Sequence, residues 1–226
     1  MPTTILQPAL NDTYLKVGNN AQDTNFGSNI LLRVGSSVDA THRSLIKFDF
    51  SSIPSIATVS GVTLELYMTA EDSIYVRTIA LYRIIRNWVE TQATWNIAQT
   101  GVSWGSAGGA NTTSDINGTA ISSRSMTSVE AVGWKDFGLD VATVQGWVNG
   151  SILNYGMHLK NTTEADESAS WSFASSNNAD TSIRPKLTVN YTLPSVGSQT
   201  IWWFKKWWKE QQEKKPKILL PQGVTI

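Results

Sequence analysis

Polar and apolar residues alternate along Val62-Thr63-Leu64-Glu65-Leu66-Tyr67-Met68. That period of two predicts a strand with one face on a core and the other toward solvent. Arg43–Phe50 alternates in part, and Tyr14–Val17 and Ile30–Val34 are short β-type runs bounded by Asn, Gly and Ser. Ile74–Ile85 is rich in β-branched residues and Tyr, and Trp134–Leu139, Tyr155–Lys160, Ser168–Phe173 and Lys186–Tyr191 are further runs of the same kind. About nine strands joined by long loops predict an all-β fold, a jelly-roll β-sandwich. One segment breaks the pattern. Val141, Val144 and Val148 repeat at helical spacing between Asp140, a helix-starting residue, and Asn149-Gly150, a helix stop. A short helix is expected there, covering an open end of the sandwich. Residues 87–133 read as one long Gly/Ser/Thr-rich loop.

The pattern changes again near Leu193-Pro194-Ser195-Val196-Gly197-Ser198, which reads as a linker. The expected division is a β domain over 1–194 and a tail over 195–226. The 226 residues carry 18 basic and 18 acidic side chains, but the balance conceals an asymmetry. The tail holds six Lys against two Glu, so it is basic and the body is acidic by the same amount. Nothing in this distribution gives the body the basic footprint of a nucleic-acid binder. Cys is absent and His occurs twice, which excludes disulfides, a thiol nucleophile and thiolate zinc sites. No nucleophile elbow, phosphate loop or zincin motif is present, so no catalytic residues are expected. The N-terminus lacks the basic and apolar regions of a secretory signal, and no apolar run is long enough to span a membrane.

Several motifs keep a recognisable order. Arg43-Ser44-Leu45-Ile46-Lys47-Phe48-Asp49-Phe50-Ser51-Ser52-Ile53-Pro54 precedes Ala57-Thr58-Val59-Ser60-Gly61-Val62-Thr63-Leu64-Glu65-Leu66-Tyr67. Trp88-Val89-Glu90, Ala93-Thr94-Trp95-Asn96 and Trp104 follow. Then come Val144-Gln145-Gly146-Trp147-Val148-Asn149-Gly150, Asn154-Tyr155-Gly156-Met157-His158-Leu159-Lys160 and Arg184-Pro185-Lys186-Leu187-Thr188-Val189-Asn190-Tyr191. Over roughly residues 9–192 the chain resembles DNRLRE domains, which are related to disaggregatase-type modules and to carbohydrate-binding modules of polysaccharide lyases. The resemblance implies a β jelly roll with no catalytic centre of its own and a surface or extracellular role.

Trp88, Glu90, Trp95 and Trp104 have two readings. Their rings and carboxylate suit sugar stacking and hydroxyl binding, and equally suit pinning a long loop by burial and backbone hydrogen bonds. The second reading is favoured. Asp12, Asp23 and Asn25 are weak oxygen-donor candidates for a structural Ca²⁺, in a spacing that fits no EF-hand; no other cofactor is expected. Glu164, Asp166 and Glu167 read as a solvated hairpin tip, and His158 as a packed or surface imidazole within a strand.

The tail is the most unusual segment. On a helix, Ile201, Trp203, Phe204, Trp207 and Trp208 share one side, the lysines take the other, and Trp202 falls on the polar side. Ile218, Leu219 and Leu220 follow in an extended stretch after Pro216. The expected architecture is therefore completed by an amphipathic C-terminal helix and an extended tail. These residues are expected to anchor the body to another protein, ahead of packing in a homo-oligomer and ahead of membrane contact. Together these features give the leading expectation of a non-enzymatic virion-surface protein of a bacteriophage, as a capsid decoration, head fibre or tail-associated protein, with weak glycan adhesion. The alternative is a secreted or cell-surface carbohydrate-binding protein.

Overall fold

A computed structural model describes residues 2–164, 168–195 and 206–210. One compact unit ends at Thr192 and a second begins at Leu193. In the second, residues 206–210 are helical, and Trp207 and Trp208 are 52% and 55% exposed. Ile201, Trp202, Trp203, Phe204, Ile218, Leu219 and Leu220 lie outside the described residues, as do Asp166 and Glu167.

The first unit is all-β. Its described residues form thirteen strands: β1 (Thr3–Leu6), β2 (Asn11–Val17), β3 (Leu31–Ser37), β4 (Ala40–Lys47), β5 (Thr58–Ser73), β6 (Arg77–Ile84), β7 (Ile97–Gln99), β8 (Val102–Ser103), β9 (Ile116–Met126), β10 (Gly133–Gly138), β11 (Met157–Asn161), β12 (Ala169–Ala174) and β13 (Lys186–Thr192). Eleven of them join one curled antiparallel sheet in the order β1-β13-β5-β12-β3-β4-β11-β6-β9, with β10 also on β5 and β2 also on β4; β7 and β8 pair separately. The curl comes from strands that change partner along their length. β5 pairs with β13 over Thr58–Glu65 and with β12 over Met68–Ser73, while β10 takes Thr63–Met68. β4 pairs with β3 over Ala40–His42 and with β11 over Ser44–Ile46.

The sheet therefore encloses a core. Leu64, Leu66 and Met68 of β5, Phe137 of β10 and Leu187 and Val189 of β13 meet Ile46 of β4, Ile79 and Leu81 of β6, and Met157 and Leu159 of β11 in one cluster. Helix α1 (Val141–Asn149) packs Val144, Trp147 and Val148 against the same cluster. Its ends are those expected. Asp140 Oδ2 accepts from Thr143 N at 2.8 Å and from Thr143 Oγ1 at 2.7 Å, and Gly150 closes the helix at φ 76°. Gln145 on α1 completes the start of β5 by accepting from Val59 N at 2.8 Å and donating to Ala57 O at 3.0 Å.

A second cluster lies on the opposite face of β2, β4 and β6. There Leu15, Leu45 and Ile84 are covered by Trp88, Ala93, Trp95, Ala98 and Trp104 from the segment after β6. One half of the sheet is thus buried on both sides. The β10–β5–β13 half is not: outward-facing Thr63, Glu65, Tyr67, Trp134, Lys186 and Thr188 are half-buried and Asp136 is exposed.

The structure corrects the expected strand count and the single long loop. β7, β8 and β9 all fall within residues 87–133, and β9 is an eleven-residue edge strand on β6. β9 is polar because only Ile116, Ile121 and Met126 are buried, a spacing set by two bulges in its pairing with β6. β5, at sixteen residues, extends well beyond the alternating core of the pattern through Thr69–Ser73, which β12 pairs. β4 stops at Lys47 rather than Phe50, with Lys47 O accepting from Leu10 N at 2.8 Å.

The helix cap yields a direct check. Asp140→Ala should cost about 1 kcal/mol in denaturant unfolding, and Asp140→Asn should recover most of it.

Candidate functional site

The tryptophan segment is held by buried polar groups. Asp115, fully buried, accepts from Gly105 N at 2.7 Å, Ser106 N at 3.1 Å, Asn111 N at 3.2 Å and Arg86 Nε at 2.8 Å. Burial alone would raise its pKa, but these donors outweigh it and hold the carboxyl below its ordinary value. Arg43 clamps the same segment. It donates to Gly108 O at 3.0 Å, lies 4.6 Å from the Trp95 ring and forms a two-point ion pair with Glu164 at 2.8 and 2.6 Å. Glu164 is therefore part of a half-buried ion pair, which corrects its reading as a solvated tip. His158 is fully buried beside it, with Nε2 3.0 Å from Gly108 O. Burial and the Arg43 charge push its pKa down to about 3, so it is neutral.

Trp88, Trp95 and Trp104 are 7%, 8% and 6% exposed. Trp88 Nε1 donates to Tyr155 O at 2.8 Å and Trp104 Nε1 to Thr94 O at 2.9 Å. Rings this deeply packed offer no open face to a sugar. Glu90 accepts from Asp12 N at 2.9 Å and Asn11 Nδ2 at 3.1 Å, tying the tryptophan segment to β2.

The oxygen-donor candidates have protein partners. Asn25 Nδ2 donates to Glu90 O and Ala93 O, both at 2.7 Å, and Asn25 Oδ1 accepts from Gly27 N at 3.1 Å. Gly27 sits so close that an added Cβ would collide with Glu90 O. Asp23 Oδ1 accepts from Asn96 Nδ2 at 2.7 Å. Asp12, 1% exposed, accepts from Ser176 N at 2.7 Å and Ser176 Oγ at 3.0 Å. Among the described residues no group of three or more His, Asp or Glu side chains is placed to hold a metal ion.

The open sheet face has a different character. Trp134 on β10 lies opposite Tyr67 on β5, and their rings meet edge to face with centroids 5.4 Å apart. Lys186 on β13 places Nζ 4.3 Å from the centre of the Trp134 ring and 2.9 Å from Glu65 Oε1. Thr188 Oγ1 donates to Glu65 Oε2 at 3.0 Å. Asp136 faces Glu65 across β10 and β5, and its carboxylate accepts no hydrogen bond among the described residues. Further along, Gly138 opposes Thr63 and Thr63 opposes Thr188, so the side chains become short and nothing stands over Gly138. The face combines an aromatic pair, fixed polar groups and an open floor. The sequence placed Tyr67 and Trp134 in strands but did not single them out, since their contact depends on β10 pairing with β5 in this register.

A separate surface lies at the α1 end. Two clefts share Arg83 and Ile152; one also contains Asn117, Thr119 and Thr143, the other Ser151 and Tyr155. The Arg83 side chain has no hydrogen-bond or ion-pair partner among the described residues.

Residues 3–114 match the model of carbohydrate-binding module family 96. The matched span runs from β1 to the residue before Asp115, and it includes Glu65, Tyr67 and the three buried tryptophans of the second core. It supports the coarser part of the resemblance, a carbohydrate-binding-module-like β domain; the DNRLRE name rests on the motifs alone. The matched family is one of binding modules, and it agrees with the carbohydrate-binding alternative rather than with virion decoration. No curated protein matches the chain.

Two variants test the buried network. Glu90→Ala leaves Asp12 N and Asn11 without their acceptor and should lower stability by about 1–3 kcal/mol, measured by chemical unfolding. Asp12 supplies a pH signature. Burial, opposed by the Ser176 bonds and aided by the Glu90 charge, raises its pKa from 3.8 to about 6. Its proton is thus bound more tightly in the folded state. Its favourable contribution is complete below pH 3.8 and is lost as pH rises through about 6. The expected loss is about 3 kcal/mol between these limits. Unfolding of wild type and Asp12→Asn across that range should show the wild type weakening relative to the variant as pH rises.

Proposed function

We propose that the β unit is a non-catalytic carbohydrate-binding module that takes its glycan on the open β10–β5–β13 face and works outside the cell or at its surface. The observation that carries this reading is the Trp134–Tyr67 pair, set beside Glu65, Lys186 and Asp136 on a part of the sheet whose outward side chains are half-buried or exposed. The apolar C–H face of a pyranose ring gains by leaving water against an aromatic ring, while its hydroxyls need fixed polar partners at the rim. Carboxylates and an ammonium one strand apart supply acceptors and a donor. The family match to residues 3–114, a span that contains Glu65 and Tyr67, supports the same activity. The acid-held tryptophan segment serves the site indirectly by closing the other half of the sheet.

Affinity electrophoresis through gels containing a panel of polysaccharides provides the test. Wild type should be retarded by at least one polymer. Trp134→Ala and Tyr67→Ala should lose that retardation with melting temperatures close to wild type. Retained retardation in both variants would place the site elsewhere, and free migration of wild type in every gel would overturn the reading.

A further inference from the structure

We infer that the C-terminal unit lays its tryptophan–lysine segment on an anionic lipid surface and tethers the chain there. The inference concerns residues 193–226 and stands whether or not the open β face takes a glycan. Residues 206–210 are helical, and Trp207 and Trp208 are 52% and 55% exposed beside Lys206 and Lys209. Adjacent residues on a helix point about 100° apart, so two exposed neighbours present a broad apolar arc rather than one stripe. Read at the same spacing, the sequence puts Ile201, Trp203 and Phe204 on that arc and Trp202 among Lys205, Lys206 and Lys209. A groove in a folded partner buries one stripe and would leave Trp202 in water. The headgroup layer of a bilayer has no such limit. Indole rings lie there with the apolar body toward the acyl chains and the N–H toward water and phosphate, and a ring among lysines fits as well as one below them. The distribution of rings therefore favours lipid over the protein partner that the sequence pattern places first.

Charge selects the kind of lipid. Beyond residue 194 the chain holds six Lys and two Glu, and the body carries an equal excess of acid. The body gives an anionic surface nothing to hold, so the attraction falls to the tail. Lys205, Lys206 and Lys209 fall within five positions of sequence, close enough to share one patch of headgroups. Their long stems let the ammonium groups reach phosphate or carboxylate while the rings leave water. The same lysines interrupt the aromatic run, so the segment lies along the interface instead of crossing the bilayer. Among the described residues no helix is long and apolar enough to cross. Aromatic burial and charge are each weak anchors, and here they act on one short stretch of chain.

Flotation of the full chain with vesicles is the test, using phosphatidylcholine alone and an equal mixture of phosphatidylcholine and phosphatidylserine. The mixed vesicles should bind the chain at least ~10-fold more tightly than the neutral ones, and added salt should weaken that binding. Trp207→Ala combined with Trp208→Ala should reduce it by at least ~10-fold. Lys205→Gln, Lys206→Gln and Lys209→Gln together should remove the preference for phosphatidylserine. Both sets of substitutions should leave the melting temperature and any retardation by polysaccharide at wild-type values, and Trp134→Ala should float like wild type. Equal affinity for the two kinds of vesicle, undiminished flotation of the tryptophan variant, or flotation lost in Trp134→Ala would overturn the inference. So would a wild type that stays off vesicles but dimerises through the tryptophans, which would assign the rings to a second copy of the chain. Retardation by polysaccharide, read on the same proteins, keeps a failure here distinct from a failure of the carbohydrate-binding reading.

Discussion

The buried carboxylate of Asp115 sets the constraint on which the rest of the structure depends. A curled sheet has two faces, and the segment after β6 must cover the second face of β2, β4 and β6 without regular structure of its own over most of its length. Irregular backbone brought into a core needs acceptors for its N–H groups. Asp115 accepts from three of them and from Arg86, and Arg43 fixes Gly108 from the other side. With the backbone satisfied, Trp88, Trp95 and Trp104 can be buried over Leu15 and Leu45. Ring burial supplies the stabilisation, and the carboxylate makes that burial compatible with the loop's polar groups.

This covering is asymmetric, and the asymmetry positions the site. It ends before the β10–β5–β13 half, whose outward side chains remain accessible. The residues most suggestive of sugar binding in the sequence are thus those that close one half of the outer face, while the Trp134–Tyr67 pair stands on the other half. Both sets contain tryptophan, so residue type alone does not separate them. Burial does: the indole N–H groups of Trp88 and Trp104 are bonded to main-chain carbonyls, whereas Trp134 is held by Tyr67 and Lys186 on an open sheet.

Legibility in the sequence follows the same physics. β5 and β13 were readable because each has one buried and one wet face, and α1 because Asp140 and Gly150 mark its ends chemically. β9 was hidden by its position at a sheet edge, where bulges spread Ile116, Ile121 and Met126 too far apart for a period of two. Asp115 gave no signal, since its role depends on which N–H groups a folded loop turns toward it. The link between Glu90 and Asp12 was likewise invisible, joining residues 78 positions apart. The Trp134–Tyr67 pair required the register of two strands separated by more than sixty residues, which local pattern does not contain.

β5 joins the core and the site in a single element. Leu64, Leu66 and Met68 are fully buried, while Thr63, Glu65 and Tyr67 between them form the outer face. A one-residue shift of register would exchange these two sets and expose the core, so the packing that stabilises the fold also fixes the outer face. Neighbouring side chains add to that restraint, with Lys186 held by Glu65 and the Trp134 ring and Glu65 held by Thr188. A flat chain of sugars loses its own conformational freedom on binding and gains little from each contact. A face whose groups are already ordered avoids adding a second entropic cost. Rigidity inherited from the core is thus what would let a shallow surface with few polar groups serve the proposed carbohydrate binding.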